Sequence, residues 1–294
     1  MIATLWLVFT VSFVLMKLAP GGPLSSERKV PPAIERQMEK RFNLDGTVTE
    51  QYFDNLGNLI RGDLGWSLKL EDYSVAQVIA EGFPVSASLA VFALGFAIVL
   101  GVSAGVVSAV RRGSIADTSM RIAAVLGIAV PNFVLASIAI LIFVFALRWF
   151  PAAGWGTFRQ VLLPGLCLGA PVAAYIARLT RTGMLESMSR EHVRTAMAKG
   201  LPHRAVIWKH VLPGAMLPVV SYLGPAVARV LTGSLVLEQI FALPGMGSHF
   251  INAALQRDYT LAMGMVLTYT VLLFLMNTVV DIAYAVIDPR VTLQ

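Results

Sequence analysis

The chain is poor in the residues that build most catalytic and metal sites. It has one cysteine, Cys167, and four histidines among 294 residues. A single cysteine excludes an intrachain disulfide framework and a cysteine-rich metal site. The histidines form no HExxH motif, which argues against a zinc enzyme, and the chain has no GxxxxGK[ST] loop to hold ATP phosphates. We therefore expect no catalytic residue, no metal site and no cofactor-binding site in this chain.

Charged residues are also scarce. They make up 14% of the chain, against 56% hydrophobic residues, whereas a soluble domain usually has about 25% charged residues. The charge is uneven, because residues 21–83 hold ten acids and seven bases while the rest of the chain holds seven acids and sixteen bases. The low charge content predicts a membrane protein, and the asymmetry predicts two environments on opposite sides of the membrane.

Six apolar runs are long enough to cross a bilayer, which takes about 20 residues in a helix. Pro131, Pro164 and Pro171 lie inside two of these runs and predict kinks that neighbouring helices accommodate. GVSAG at 101–105 predicts close approach of another helix, either as ordinary packing in the bundle or as a special interface. The pattern predicts an all-α membrane protein with six transmembrane helices, at residues 2–20, 84–110, 122–147, 161–178, 217–240 and 262–287.

Positive residues concentrate on one set of connecting loops. Residues 111–121 and 178–210, with the C-terminus, hold eleven Lys or Arg residues, while the short loops between the other span ends hold three. The positive-inside rule therefore places the first set, and both termini, in the cytoplasm. The first run has no basic residue before it and five runs after it, so we interpret it as an uncleaved first helix. Its shortness and missing inside anchor suggest that residues are absent before Met1.

Residues 21–83 form the predicted external segment. PPAIERQMEKRF at 31–42 predicts a short helix that starts with prolines. Apolar residues recur at helical spacing within 47–60, and GDLGWS at 62–67 predicts a turn. The segment can pack as a small cap on the bundle, serve as a docking platform for an external partner, or do both.

A basic stretch, RTAMAKGLPHRAVIWKHVLP at 194–213, separates two apolar runs and carries no acid. Val193, Ala196, Met197 and Gly200 share one helical face, which predicts a short helix with a small-residue side. Gly200 followed by Pro202 is typical of a helix end. A small-residue face suits entry into a protein groove, although a basic helix lying on anionic lipid is an alternative.

This stretch resembles the cytoplasmic EAA signature of ABC importer permeases. Ala196, Gly200, Leu212 and Pro213 stand where that signature has its second Ala, its Gly and its closing Leu-Pro. The twelve-residue step from Gly200 to Leu212 matches the signature as well.

The sequence departs from the signature at Arg194 and Thr195, which replace Glu and the first Ala, and at His210, where Ile is usual. The form RTAxAKGL is nevertheless typical of the dipeptide/oligopeptide/nickel branch of these permeases. Within that branch the chain is most similar to the B-type subunit of oligopeptide importers. The resemblance extends over nearly the whole chain and is carried by LAPGGP (18–23), GDLGWS (62–67), FPVSASL (83–89), VLGVSAGV (99–106), ARLTRTGMLE (177–186), VLPGAMLPV (211–219), TGSLVLEQIFALPGMG (232–247), RDYTL (257–261) and DIAYAVIDPR (281–290).

The resemblance implies the fold and partners of a type I ABC importer in a bacterial inner membrane. It implies a first helix at 1–20, the external segment at 21–83, and a five-helix permease core at 84–294 with a coupling loop at 182–211. A second permease subunit, two ATPases that bind ATP and Mg, and an external substrate-binding protein are the implied partners. The implied ATPase-coupling residues are Glu191, Arg194, Thr195, Ala196, Met197, Lys199, Gly200 and Leu201.

Polar residues at membrane depth usually mark pathways or paired sites, because they are costly there. Arg229, Glu238 and Asn132 are therefore candidates to line the pore or to contact the partner permease. Arg229 can also be paired structurally or snorkel to the membrane surface, and Asn132 can instead satisfy carbonyls freed by Pro131.

Two other function classes compete with an ATP-driven importer. A secondary transporter usually shows internal repeats and carboxylates at the membrane midplane, and the sequence shows no clear repeat. A membrane-embedded enzyme would need a nucleophile–base or metal constellation, and none is evident. The cargo is expected to be oligopeptide, with dipeptides, nickel or glutathione as alternatives on the same scaffold.

Overall fold

The computed structural model describes residues 1–19 and 46–287. In these residues the regular structure is helical, apart from one antiparallel bridge between Trp66 and Ser74, which confirms the predicted all-α class. The described residues form two compact units, one within the ranges 1–85 and 244–274 and the other within 86–243 and 275–287. The residues of the predicted helix at 31–42 lie outside the described part of the chain.

Eleven α-helices occur in the described residues, and two of them continue into π-helical segments, Ile140–Ala146 and Ile207–Val211. In chain order they are α1 (Ile2–Leu18), α2 (Val48–Ile60), α3 (Val75–Val110), α4 (Ile115–Ala129), α5 (Asn132–Ala139), α6 (Phe158–Met188), α7 (Glu191–Ala198), α8 (His203–Val206), α9 (Leu212–Ile240), α10 (Met246–Gln256) and α11 (Tyr259–Ile287).

Four helical segments are long and apolar enough to cross a membrane, namely α3, α6, the continuous α8–α9 segment His203–Ile240, and α11. A fifth is obtained if the bent pair α4–α5 counts as one span. The remaining predicted span is the first helix, α1. It has 17 residues, fewer than the roughly 20 that a crossing usually takes. Each of the six predicted runs contains helix in the described residues, the third in two pieces, and the count of six spans stays a prediction.

The second predicted span starts earlier than its apolar run. The run predicts a start at Pro84, but α3 begins at Val75 and carries Pro84 inside the helix. Val75 and Val78 explain the extension, because both are buried in a cluster with Met246, Leu261 and other residues of the first unit. The domain boundary predicted between residues 83 and 84 therefore falls inside a helix.

The third predicted span is broken rather than kinked. α4 and α5 meet at an angle of 107°. Val130 is extended, with ψ of 123°, as the residue before a proline prefers. Pro131 has no N–H to continue the helix and instead precedes the first turn of α5. Pro164 and Pro171, by contrast, lie within the continuous helix α6.

In the first unit, α2 confirms the helical spacing seen at 47–60. Thr47 and Glu50 form a capping box: Thr47 N–H donates to Glu50 Oε2 over 2.8 Å, and Thr47 Oγ1 accepts from Glu50 N–H over 3.3 Å. The hydrogen bonds from the Thr47 backbone and hydroxyl lower the pKa of the Glu50 carboxyl. Lys17 of α1 donates to the Gln51 side chain of α2.

In the second unit, α6 is the central helix, with most of its membrane-length run buried. Gly101 and Gly105 of α3 let it approach closely. A Cβ on Gly101 would lie 2.7 Å from the Ala173 carbonyl oxygen, and one on Gly105 would lie 2.5 Å from the Thr180 Cβ. The GVSAG motif therefore serves packing within the chain, which is the first of the two predicted interpretations.

Candidate functional site

The basic stretch forms short helical pieces, in agreement with the sequence pattern. We call residues 191–211, which contain α7, α8 and the π-helical segment, the elbow. α7 covers Glu191–Ala198, and Arg190 is its N-terminal cap residue. Lys199 is its C-terminal cap residue, and the next residue, Gly200, has a φ of +76° in the left-handed region, where glycine has no steric penalty. Its N–H donates to the Met197 carbonyl over 2.9 Å. Pro202 is the N-terminal cap residue of α8, so four residues separate α7 from α8.

Two of the four residues on the predicted small-residue face of α7, Val193 and Ala196, point into their own chain, whereas Met197 and Gly200 are exposed. Val193 is 0% and Ala196 is 4% exposed, in a cluster with Met184, Val211 and other residues of α3, α6 and α8–α9. For Val193 and Ala196 this corrects the expectation that the small-residue face enters a partner's groove. The physical reason is that α7 is amphipathic, and its apolar side closes the gap between the helices before and after it.

The opposite face of α7 is open in the described structure. The predicted coupling residues other than Ala196 are all exposed, namely Glu191, Arg194, Thr195, Met197, Lys199, Gly200 and Leu201. Met197, at 47% exposed, and Leu201, at 41%, add apolar area among the charged groups. Trp208, which no sequence motif singled out, is 61% exposed on the π-helical segment after α8.

The elbow is attached firmly to the helices on both sides of it. Ser187 Oγ, near the end of α6, donates to the Val211 carbonyl over 3.0 Å. His192 Nε2 lies 3.1 Å from the His210 carbonyl oxygen. Gly183 of α6 abuts the Ala215 backbone of α9, where a Cβ would lie 2.7 Å from the carbonyl oxygen. These contacts join the segments on both sides of α7 to each other.

Two of the three membrane-level candidates meet at one cavity. Arg229 of α9 and Asn132 of α5 both line a space of about 340 Å³ at the break between α4 and α5. Asn132 Nδ2 donates to the Gly233 carbonyl over 3.4 Å. Asn132 therefore bonds to α9 across the cavity, in addition to lying beside Pro131.

Arg229 belongs to an exposed and largely polar stripe on α9. The buried stripe of the same helix contains Ala215, Val219, Tyr222, Ala226 and Val230. Exposed residues recur between them every three or four positions, as one face of a helix requires. They are Pro218, Ser221, Pro225, Arg229, Thr232, Val236 and Gln239.

Glu238 does not share this exposed stripe. It is 0% exposed, and Ser86 Oγ of α3 donates to its Oε1 over 2.8 Å. A carboxyl group buried in this way needs hydrogen-bond partners, and the chain itself provides one. The burial corrects the grouping of Glu238 with Arg229, because Glu238 is not accessible to a pore or to a partner subunit.

Sequence reasoning missed a buried ion pair at Asp117. Asp117 is 2% exposed in the first turn of α4, and it accepts hydrogen bonds from Arg181 of α6. The sequence did contain a signal, because Ser114 and Asp117 stand three residues apart just before an apolar run, as helix-capping residues do. Ser114 Oγ indeed accepts from Asp117 N–H over 3.2 Å.

Comparison with known families agrees with these features. The chain belongs to the family of binding-protein-dependent transport system inner membrane components, whose family model matches residues 97–293. It is therefore a multi-pass inner-membrane component of a transport system. The match includes the elbow and the Arg229 cavity, and it confirms the family resemblance inferred from the motifs.

Individual relatives are similar over almost their whole length. The chain is 43% identical over 292 residues to the oligopeptide transport system permease protein OppB of Escherichia coli strain K12, covering 99% of this chain and 95% of the relative. It is 44% identical over 290 residues to OppB of Haemophilus influenzae, covering 98% and 95%. It is 42% identical over 294 residues to the dipeptide transport system permease protein DppB of Bacillus subtilis, covering 100% and 96%.

Proposed function

We propose that this chain is a permease subunit of an ATP-driven importer of oligopeptides and forms half of its translocation pore. One observation carries the proposal: α7, with its basic exposed face, packs on the segment His203–Val211, which continues into α9, the membrane-length helix that exposes Arg229. The identity to oligopeptide permeases supports the cargo assignment.

The elbow receives mechanical work in this proposal. A cytoplasmic ATPase contacts the exposed face of α7, and the buried face passes the displacement to α6 and α9 through Val193 and Ala196. Driving a two-state pore from 1:99 to 99:1 takes about 5.5 kcal/mol. The chain has no phosphate-binding loop, so ATP and Mg bind in the partner ATPases and this subunit itself carries out no catalysis.

The complete transporter contains a second permease, two ATPases and an external binding protein in this proposal. The charge pattern supports an orientation with the elbow and both termini in the cytoplasm. In this orientation α2 and α10 lie on the external side and face the binding protein. Dipeptide import by the same machinery is the second candidate function, because the chain is also 42% identical to a dipeptide permease.

Cysteine crosslinking tests the coupling role directly. The lone cysteine, Cys167, is buried and is replaced by Ser to give a cysteine-free background. Met197→Cys, on the exposed face of α7, is expected to crosslink to the ATPase subunit. Phe158→Cys is the matched control, because it is also exposed, at 66%, but lies at the predicted external end of α6. Crosslinking from Phe158→Cys, or none from Met197→Cys, contradicts the proposal.

Transport measurements separate the importer from a secondary transporter. Labelled oligopeptide is supplied with the binding protein to proteoliposomes that contain the whole complex. Uptake is expected to stop when ATP is removed and the ion gradient is kept. Uptake that persists without ATP and stops when the gradient is dissipated assigns the chain to the secondary transporters.

A further inference from the structure

Arg229 carries a charge at a depth where a charge needs a partner. It stands about 16 Å before the end of α9 at Ile240, from the 1.5 Å rise per residue of a helix, which is roughly half of a 30 Å hydrocarbon core. Arg229 is exposed. Among the described residues no ion pair is found for its guanidinium.

The other polar groups of the α9 stripe near Arg229 are bonded within their own helix. Ser221 Oγ donates to the Leu217 carbonyl over 3.0 Å, and Thr232 Oγ1 donates to the Ala228 carbonyl over 2.9 Å. Because these hydroxyls already donate to carbonyls of α9, the guanidinium of Arg229 is the group that can donate to a ligand. A charged side chain that faces lipid is costly, so we take the stripe to face water or protein.

The cavity has the size and polarity of a small anion-binding pocket. Its volume of about 340 Å³ is at the lower end of the 300–1,000 Å³ typical of ligand sites. Pro131 and Asn132 line it at the start of α5, where a helix carries positive partial charge that adds to the charge of Arg229. Leu168 and Pro171 of α6 form an apolar wall.

We infer that the Arg229 cavity is a transient binding site for the C-terminal carboxylate of the transported peptide. The inference rests on the proposed function. A carboxylate is the anionic group that every unmodified peptide carries whatever its sequence, and guanidinium recognises it with two parallel hydrogen bonds. A counter-charge at mid-depth lowers the cost of moving that carboxylate through a low-dielectric path.

The test compares two peptides that differ only at the C-terminus. The intact complex, with its binding protein, takes up a tripeptide with a free carboxylate or its C-terminal amide, chosen so that calorimetry shows equal binding-protein affinity. Arg229→Gln is expected to lower the ratio of acid to amide uptake about tenfold, the loss of one charge-assisted contact. Arg229→Lys is expected to fall between Gln and wild type, because Lys keeps the charge but not the bidentate geometry.

Arg121→Gln is the matched control, because it removes an exposed arginine of the same unit outside this cavity and is expected to leave the ratio unchanged. An unchanged ratio in Arg229→Gln overturns the inference, as does an equal loss of uptake of both peptides. Failure of Arg229→Gln to co-purify with the second permease also overturns it, and assigns Arg229 to the permease–permease interface. Absence of uptake of either peptide by the wild-type complex instead refutes the proposed function.

Discussion

Arg181 of α6 donates two hydrogen bonds to Asp117 of α4, from Nε to Oδ1 over 2.8 Å and from Nη2 to Oδ2 over 3.0 Å. The same carboxylate accepts from Ser108 Oγ over 2.6 Å and from Gly113 N–H over 3.0 Å. One acid therefore joins α3, the turn after it, α4 and α6. Arg181 lies about 9 Å along α6 from Ser187, whose hydroxyl donates to the carbonyl of Val211, the residue before α9.

Replacing Asp117 is expected to destabilise the chain. Asp117→Asn keeps the size of the side chain but leaves the Arg181 charge without its carboxylate, and breaking a buried pair costs far more than breaking an exposed one. We expect the Tm of the detergent-solubilised chain to fall by about 5 °C or more. Glu186→Gln is the control, because the Glu186–Arg190 pair is exposed on both sides; its Tm should stay within about 1 °C. Equal shifts in the two variants would refute the role of Asp117.

Two glycines of α3 are expected to respond in opposite ways to the same substitution. Gly105→Ala places a Cβ 2.5 Å from the Thr180 Cβ and 2.7 Å from the Ala177 carbonyl, which should destabilise the chain by about 1–3 kcal/mol through overpacking. Gly95 has nothing within 4 Å, so Gly95→Ala should stabilise the helix by up to about 1 kcal/mol. Denaturant unfolding in mixed micelles measures both. A stabilising Gly105→Ala would show that α3 and α6 are not in close contact.

Substitutions on the buried face of α7 are expected to destabilise the chain more than the same substitutions on its exposed face. Ala196→Phe forces a ring into the cluster around Val193 and Met184, and overpacking of this kind costs about 1–3 kcal/mol. Ala198→Phe adds the same ring on the exposed side of the helix and should leave stability within about 0.5 kcal/mol. Thermal unfolding of the chain without its partners checks the pair. The packing described for α7 is wrong if Ala198→Phe is the more destabilising variant.

The position two residues after α7 has a left-handed backbone conformation and is expected to require glycine. Gly200 has a φ of +76° and open space where a Cβ would lie, so Gly200→Ala introduces backbone strain alone, of about 1–2 kcal/mol. Gly200→Asn should cost less, because asparagine tolerates this conformation. Gly57→Ala, also in open space but within α2, should not destabilise. Tm values rank the three variants, and a neutral Gly200→Ala would contradict the conformation assigned to the elbow.

Local chemistry allowed several elements to be predicted closely. Repeating apolar residues predicted α2, and Gly200 with Pro202 predicted the end of α7, because spacing and backbone preference act within one or two turns. The same reasoning failed at Pro131, where a predicted kink is a 107° break. Proline removes one hydrogen bond in either case, and the packing of neighbouring helices decides whether the helix breaks, as at Pro131, or continues, as at Pro171.

Composition and periodicity were enough to establish that the chain is helical, apolar enough for a membrane and basic on one set of loops. These properties depend only on residue types and on their spacing along the chain. Which faces are covered depended on how the helices pack in space. That packing buried Ala196 and Glu238 within the chain, exposed Arg229 on α9, and paired Asp117 with Arg181. Such outcomes depend on which distant helix supplies the neighbouring atoms, and no local pattern encodes that choice.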